Sequence, residues 1–368
     1  MRKSKNSRRR NSRNDKTLMT EDDGTQMETG TEKRKKKKDN NATRSVEEPS
    51  VAPASKGGKK LGAGRESPEY KNVMLEFVKH CLEAGVQAKA AEFIQLKQET
   101  NVPGPKTAFD ANPTKNRYKD VICIDASRVR LSGVNDYIHA NYMDYEGFDR
   151  KYICTQAPLD KTIEEFWKMI METKSVAIVM LCNIMEQGKK KCAQYWPDAD
   201  GASSTHGDFT VTNKGVRQPE QQLTETALEV KNASGDTFNT THFFWHGWPD
   251  RGVPEDSMAC FRLINKLNRY CPVMVHCSAG IGRTGTIIGL DYAHQLLRKG
   301  EQVRLKDVVK EMRKHRHNSV QTAVQYVFMH RALIGVAINK KFITQSECEK
   351  YLEEVQKYID LVELKNKG

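Results

Sequence analysis

The stretch at residues 273–285, VMVHCSAGIGRTG, constrains the fold of this chain more than any other. An apolar, β-branched run ends in a histidine and Cys277. A loop with two glycines follows, and a helical pattern begins near Arg283. β-Branched residues favour strands, and glycine lets a loop curl without Cβ clashes. The sequence therefore predicts a strand–loop–helix unit with a thiol at the turn.

The predicted loop is suited to binding an oxyanion. Its glycines allow successive backbone N–H groups to point into one cavity, and the N-terminus of the following helix adds partial positive charge. These donors and the planar guanidinium of Arg283 stabilise thiolate over thiol, so we expect Cys277 to attack a bound phosphoryl group. A Cys-x5-Arg spacing alone is weak, but the longer string between a strand and a helix is specific. The residues expected to contact the phosphate are Ser278, Ala279, Gly280, Ile281, Gly282 and Arg283.

The charge of the chain is concentrated near its N-terminus. The net charge is +13, and residues 1–66 carry 19 Lys and Arg against 10 Asp and Glu. This segment contains almost no large apolar residues, so it cannot offset the entropy cost of ordering, and we expect it to be disordered. Its basic clusters at 8–10 and 33–38 fit either contacts with nuclear import receptors or polyanions, or a solvated tail, and the sequence leaves both open. We expect the catalytic domain to span residues 67–368.

Several classes of protein are disfavoured by what the sequence lacks. No apolar run approaches the roughly 20 residues of a membrane span, and no hydrophobic segment follows the charged N-terminus. Nine cysteines without a framework spacing indicate a reducing compartment, the cytoplasm or the nucleus. No pair or cluster has metal-ligand spacing, so we expect no metal and no cofactor. The expected state is a monomer.

The pattern along the remaining chain is that of interleaved helices and strands. It predicts an α/β fold, with a central twisted mixed β-sheet flanked by helices, and an extended loop at 100–114. Helices are predicted at 69–82, 90–99, 162–173, 284–298, 304–316, 320–337 and 345–364. Strands are predicted at 137–142, 152–155, 176–181, 208–212, 228–230, 241–245 and in the run before Cys277.

The chain resembles the tyrosine-specific, non-receptor protein tyrosine phosphatases of the cysteine-nucleophile type over roughly residues 69–340. The resemblance depends on many motifs in the right order rather than on the cysteine loop alone. It implies hydrolysis of phosphotyrosine in proteins, a role in signal transduction, and a cysteine loop at the carboxyl end of a central strand. The other motifs are KNRYKD at 115–120, DYI at 136–138, TQAPL at 155–159, FW at 166–167, Glu186, KCAQYWP at 191–197, WPD at 248–250, GVP at 252–254 and VQT at 320–322.

The resemblance assigns catalytic roles to residues outside the cysteine loop. Asp250, on a loop beside Trp248, protonates the leaving tyrosyl oxygen and later activates water. Gln321 positions that water, with help from Gln325. Thr284 donates a hydrogen bond to the sulfur of Cys277 as it leaves.

The resemblance also assigns residues that bind the substrate or support the site. The ring of Tyr118 stacks on the substrate ring and deepens the pocket, and Asp120 accepts hydrogen bonds from the substrate backbone. His276 fixes the loop from beneath. Glu186 braces Arg283 and Lys191 steadies the aspartate loop, although a surface ion pair is the alternative for these two.

The chain departs from the family pattern at three positions. Ala157 replaces a glycine, His139 replaces an asparagine, and Arg251 follows Asp250 where an aromatic residue or histidine is common. None is catalytic, but His139 puts the support of the Tyr118 loop in doubt.

The alternative functions are a phosphotyrosine reader without turnover and a phosphatase for RNA 5′ ends or phosphoinositides. The complete catalytic set argues against the reader, and a loop without extra lysines argues against more highly charged substrates.

Overall fold

The computed structural model describes residues 66–143, 148, 150–249 and 252–367. Within them a nine-stranded mixed sheet is flanked by helices, which confirms the predicted fold class. The N-terminal segment lies outside the described residues, so its disorder stays a prediction. The strands of the sheet are β1 (Arg128–Arg130), β2 (Tyr137–Met143), β3 (Tyr152–Thr155), β4 (Ala177–Met180), β7 (Ser203–His206), β8 (Phe209–Glu220), β9 (Leu223–Asn232), β10 (Thr237–Trp245) and β11 (Val273–His276), and a separate hairpin joins β5 (Met185–Glu186) to β6 (Lys189–Lys190).

The strand before Cys277, β11, lies in the middle of the sheet. The strand order is β1-β2-β3-β11-β4-β10-β9-β8-β7, and β11 pairs in parallel with both β3 and β4. All four residues of β11 are buried, as expected for a strand covered on both faces. Cys277 follows the carboxyl end of this strand, where open α/β sheets form their binding crevices.

The described part of the chain contains eight α-helices. The first contains a kink at Gly85, whose φ of 75° is left-handed, so it consists of two helical pieces as the sequence predicts. No described helix combines the length and the apolar character needed to cross a membrane. The helices are α1 (Tyr70–Glu99), α2 (Thr107–Ala111), α3 (Ile163–Thr173), α4 (Met258–Lys266), α5 (Arg283–Arg298), α6 (Leu305–His315), α7 (Ala323–Asn339) and α8 (Gln345–Lys367).

The structure differs from the sequence prediction in several regions. It contains β1, the β5–β6 hairpin, β7 and α4, none of which the sequence pattern predicts. Strands β8 to β10 run well beyond the predicted segments. Buried residues alternate with more exposed ones in much of β9 and β10 and in the first half of β8, and the second half of β8 is mostly exposed, so the apolar signal is interrupted. The predicted extended loop at 100–114 contains α2, whose first N–H groups are satisfied from outside the helix. The carboxylate of Asp125 accepts from the N–H of Thr107 at 2.6 Å and of Ala108 at 3.1 Å, a cap supplied from 17 and 18 residues away.

Buried histidines make the fold sensitive to acid. Burial in the low-dielectric interior lowers the pKa of His139 and His330 to about 3 and of His276 and His294 to about 4. The four side chains are therefore neutral in the folded protein at pH 5. In an unfolded chain, histidine gains a proton below a pH of roughly 6.5.

We predict that the free energy of unfolding falls as the pH is lowered from 7 to 5. In this window the unfolded chain binds more protons than the folded chain, and each such histidine contributes a slope of up to about 1.4 kcal/mol per pH unit. Urea unfolding at several pH values measures the slope. His294→Asn should reduce this slope by the contribution of one histidine at most. A free energy of unfolding that does not change between pH 7 and pH 5 would contradict the prediction.

Candidate active site

The loop between β11 and α5, called here the phosphate loop (residues 277–282), surrounds the sulfur of Cys277. The side chain of Cys277 is only 3% exposed, and the N–H of Gly280 donates to its Sγ at 3.2 Å. Gly280 has a φ of 71°, and a Cβ there would lie 2.1 Å from the carbonyl oxygen of Thr155. Only glycine fits this position, so the predicted reason for the glycines in the loop applies to Gly280.

Each carbonyl of the phosphate loop has a donor outside the cavity. A loop that turns its N–H groups inward directs its carbonyls into the protein, where an unpaired group would be costly. The donors are the His276 ring for Cys277, the N–H of Ala157 for Ser278, the Arg316 guanidinium for Ala279 and Gly280, the N–H groups of Gly285 and Val320 for Ile281, and Thr286 for Gly282. The inward-facing geometry is therefore fixed before any anion binds.

Arg283, at the start of α5, is held by two residues of neighbouring loops. Its Nη1 and Nη2 donate to the two carboxylate oxygens of Glu186 at 2.6 and 2.8 Å, and Nη1 also donates to the carbonyl of Trp248 at 3.0 Å. Burial lowers the pKa of Arg283, but the hydrogen bond to Glu186 and the electrostatic effect of the neighbouring Cys277 and Cys182 together raise it above its ordinary value. The guanidinium stays charged beside Cys277. Glu186 thus contacts Arg283 as predicted, and the ion pair between them is buried rather than exposed at the surface.

Trp248 connects the two sides of the loop predicted to carry the general acid, called here the acid loop (residues 248–252). This tryptophan is 1% exposed, packs edge-on against Trp245, and donates its indole N–H to the carbonyl of Gly252 at 3.0 Å. Trp248 also accepts from Arg283, so the base of the acid loop contacts the phosphate-binding guanidinium directly. Asp250 and Arg251 lie outside the described residues, and the role of Asp250 as general acid stays a prediction.

Tyr118 lies beside the phosphate loop. It belongs to the segment 116–121, called here the tyrosine loop, and its hydroxyl is 2.9 Å from Oγ of Ser278. The start of the tyrosine loop is held by Gln156, whose amide accepts from the N–H of Arg117 and donates to the carbonyl of Lys115, both at 2.8 Å. Asp120 is exposed, which leaves its carboxylate accessible to a bound peptide.

Gln321 and Gln325, which are predicted to position the hydrolytic water, lie against the phosphate loop. A Cβ built on Gly282 would be 3.0 Å from Oε1 of Gln321 and 3.1 Å from Nε2 of Gln325. Gln325 also caps α7, because its Oε1 accepts from the N–H of Thr322 at 3.3 Å and its own N–H donates to Oγ1 of Thr322 at 3.2 Å. The same Oε1 accepts from the N–H of Gln321 at 3.0 Å, which fixes the backbone of Gln321 beside the cap.

His276 lies under the loop within a buried hydrogen-bond chain. Its Nδ1 is 3.2 Å from the carbonyl of Cys277, and its Nε2 is 2.8 Å from the hydroxyl of Tyr195, which is also 2.7 Å from Nε2 of His242. A carbonyl only accepts, so Nδ1 of His276 carries the hydrogen and Nε2 accepts from Tyr195. The structure places His276 where the sequence predicts it.

Thr284 and Lys191 are the remaining predicted site residues. Thr284 is fully buried, and its hydroxyl has no hydrogen-bond partner within the described part of the chain, so a donor is present in the first turn of α5. The Lys191 carbonyl accepts from Oγ of Ser278 at 3.2 Å, which adds a backbone contact to the predicted role of this lysine.

Two arginines with clear roles were missed by sequence reasoning. Arg316 binds the carbonyls of Ala279 and Gly280, both at 3.1 Å. Arg117 donates to the carbonyls of Ala157 at 3.1 Å and Pro158 at 2.6 Å, and so anchors the tyrosine loop. The place of Arg117 beside Tyr118 in the KNRYKD motif was a usable signal, whereas nothing near Arg316 in the sequence pointed to the loop.

Comparison with known proteins matches the same region. Residues 112–335 match the protein-tyrosine phosphatase family model, which spans more than half of the chain. The human non-receptor type 2 tyrosine-protein phosphatase is 36% identical over 256 residues, 66% of this chain and 61% of that protein. The human receptor-type tyrosine-protein phosphatase C is 33% identical over 303 residues, 79% of this chain and 23% of that protein.

The receptor-type eta phosphatase of Gallus gallus gives a similar picture, with 38% identity over 68% of this chain and 19% of its own length. The chain thus spans less than a quarter of these receptor-type relatives. The matched region contains the phosphate loop, Arg283, Tyr118 and the two glutamines at its rim. The chain belongs to the protein-tyrosine phosphatase family.

Proposed function

We propose that this chain hydrolyses phosphotyrosine in proteins through a phosphocysteine intermediate. The observation that carries the proposal is the thiol of Cys277, buried at the floor of a loop whose Gly280 N–H donates to its sulfur at 3.2 Å. A hydrogen bond to sulfur stabilises the thiolate, which is the form that attacks phosphorus. Arg283, fixed by Glu186, supplies positive charge for the transferring phosphoryl group.

In the first step the Cys277 thiolate forms an S–P bond while the P–O bond to tyrosine breaks. Arg283 and the loop N–H groups hold the equatorial oxygens, and donors that are already aligned need no reorganisation when the transition state forms. The departing phenolate oxygen takes a proton from the carboxylic acid of Asp250, which becomes a carboxylate. The family resemblance and the sequence position of Asp250 beside Trp248 support this assignment.

In the second step a water molecule displaces the sulfur of Cys277 from phosphorus. Gln321 orients the water, Asp250 accepts its proton, and the oxygen attacks phosphorus as the S–P bond breaks. Cys277 leaves as a thiolate, with Gly280 N–H and the Thr284 hydroxyl as hydrogen-bond donors. The products are inorganic phosphate and the regenerated enzyme.

Replacing the nucleophile tests this function. Cys277→Ser should abolish phosphate release from a phosphotyrosine peptide, because a serine hydroxyl is a far weaker nucleophile without a general base. Cys271→Ser is the matched control, since Cys271 is the only one of the nine cysteines that is partly exposed, and it should retain full activity. Activity of Cys277→Ser within tenfold of the parent would contradict the phosphocysteine pathway.

Selectivity for phosphotyrosine tests the depth of the pocket. A phosphoserine side chain is shorter by an aromatic ring, so its phosphorus stops short of the roughly 3–3.5 Å that attack requires. Tyr118→Ala should lower kcat/KM for a phosphotyrosine peptide by about tenfold, because one stacking wall is lost. Any phosphoserine activity should stay the same or rise.

Tyr118→Phe is the matched control for that experiment. It keeps the ring but removes the hydroxyl that contacts Ser278, so it should retain most of the activity of the parent. Comparable rates of the parent enzyme on phosphotyrosine and phosphoserine peptides of matched sequence would contradict the deep-pocket account.

The remaining proposals concern location and partners. We assign the chain to the cytoplasm, the nucleus or both, acting as a monomer in signal transduction, with a catalytic domain at 67–368. The basic clusters at 8–10 and 33–38 support contacts of residues 1–66 with import receptors or polyanions. The cellular distribution of the full chain, compared with a chain lacking residues 1–66, decides whether this segment directs location.

A further inference from the structure

A buried arginine between the two substrate-binding loops has no carboxylate among its hydrogen-bond partners in the described residues. Arg316 is fully buried, and its guanidinium donates to the carbonyls of Ala279 and Gly280, to Oδ1 of Asn141 at 2.7 Å and to Nδ1 of His139 at 3.1 Å. A buried cation is stable only when its donors are satisfied, so each neutral partner matters. His139 is the one partner that departs from the family pattern.

The tautomer of His139 follows from these contacts. A guanidinium can only donate, so Nδ1 of His139 must be unprotonated and accept from Arg316. Nε2 then carries the hydrogen and donates to the carbonyl of Val121 at 2.8 Å. The ring is 1% exposed and packs edge-on against Phe109 of α2, which fixes its orientation. Burial and the Arg316 cation together lower the pKa of His139 to about 3, so the ring stays neutral at neutral pH.

Val121 and Arg316 belong to different parts of the site. Val121 ends the tyrosine loop, three residues after Tyr118, whereas Arg316 holds the carbonyls of the phosphate loop. The start of the tyrosine loop is fixed separately by Gln156. The His139 imidazole therefore connects two parts of the site. It contacts Val121 at the end of the tyrosine loop and Arg316, which holds the carbonyls of the phosphate loop.

We propose that His139 is a positioning residue that sets the distance between the tyrosine loop and the phosphate loop, and so the depth at which a phosphotyrosine side chain binds. The proposal deepens the proposed function and rests on it for the identity of the substrate. An asparagine, which the family pattern has here, offers one amide at the level of Nδ1 and does not reach as far as Nε2. His139 adds the contact with Val121.

Two substitutions separate the two contacts of His139. His139→Asn places an amide oxygen near Nδ1, so it should keep the contact with Arg316 and lose the one with Val121. His139→Gln places an amide near Nε2, so it should keep the contact with Val121 and lose the one with Arg316. His139→Ala loses both. His294→Gln is the control, because His294 is a buried histidine that contacts Tyr70 at 3.0 Å and none of the site residues.

Equilibrium binding of two probes provides a readout that needs no turnover. Inorganic phosphate reports on the phosphate loop alone, and a peptide with a non-hydrolysable phosphonate analogue of phosphotyrosine reports on both loops. His139→Asn should leave the Kd of phosphate unchanged and raise that of the phosphonate peptide about tenfold, the effect expected from one lost hydrogen bond. His139→Gln should raise the Kd of phosphate about tenfold, and the Kd of the peptide by the same factor.

The split between the two variants decides the proposal. If His139→Asn and His139→Gln weaken binding of both probes equally, in proportion to a lower Tm, His139 only fills the core and the proposal is overturned. Binding of both probes that is unchanged in the two variants would also overturn it. The control should bind both probes like the parent. Failure of the parent enzyme to release phosphate from phosphotyrosine would instead overturn the proposed function and leave the binding result interpretable.

Discussion

The active site depends on the donors that satisfy the outward-facing carbonyls of the phosphate loop. A loop whose N–H groups converge on an anion must direct its carbonyls into the protein, where each needs a partner. The fold supplies these partners from four separate regions: the strand end at His276, the turn at Ala157, the first turn of α5, and the segment from Arg316 to Val320. The cavity is therefore preorganised, which is the condition under which electrostatic stabilisation of a transition state is most effective.

The same requirement explains why so much of the fold surrounds one loop. β11 lies between two parallel neighbours, so the loop leaves the sheet at a fixed height. Glu186 from the β5–β6 hairpin fixes Arg283, and Arg283 contacts the base of the acid loop at Trp248. The phosphate loop thus contacts the tyrosine loop through the Tyr118–Ser278 hydrogen bond, and Arg283 contacts the base of the acid loop through Trp248.

Local sequence signals predicted the parts of the site that lie within one motif. Glycines, a cysteine and an arginine in a short string indicate an anion-binding loop, because its conformation depends on residues adjacent in sequence. The roles of Asp250, Gln321 and Tyr118 came from the family resemblance. The contacts of Arg316 were not predictable, since they join residues 36 and 37 positions apart, and those of His139 and Arg316 span 177. Long strands such as β8 were underestimated because their polar faces break the apolar pattern.

The central claim is that Cys277 carries the phosphoryl group between the two steps. The direct measurement is a rapid-quench experiment with a ³²P-labelled phosphotyrosine peptide and the Gln321→Ala variant, in which slower hydrolysis should let the intermediate accumulate. The account predicts one label per active chain, located in the peptide that contains Cys277. Formation of tyrosine without a labelled chain, or a label on another residue, would contradict it.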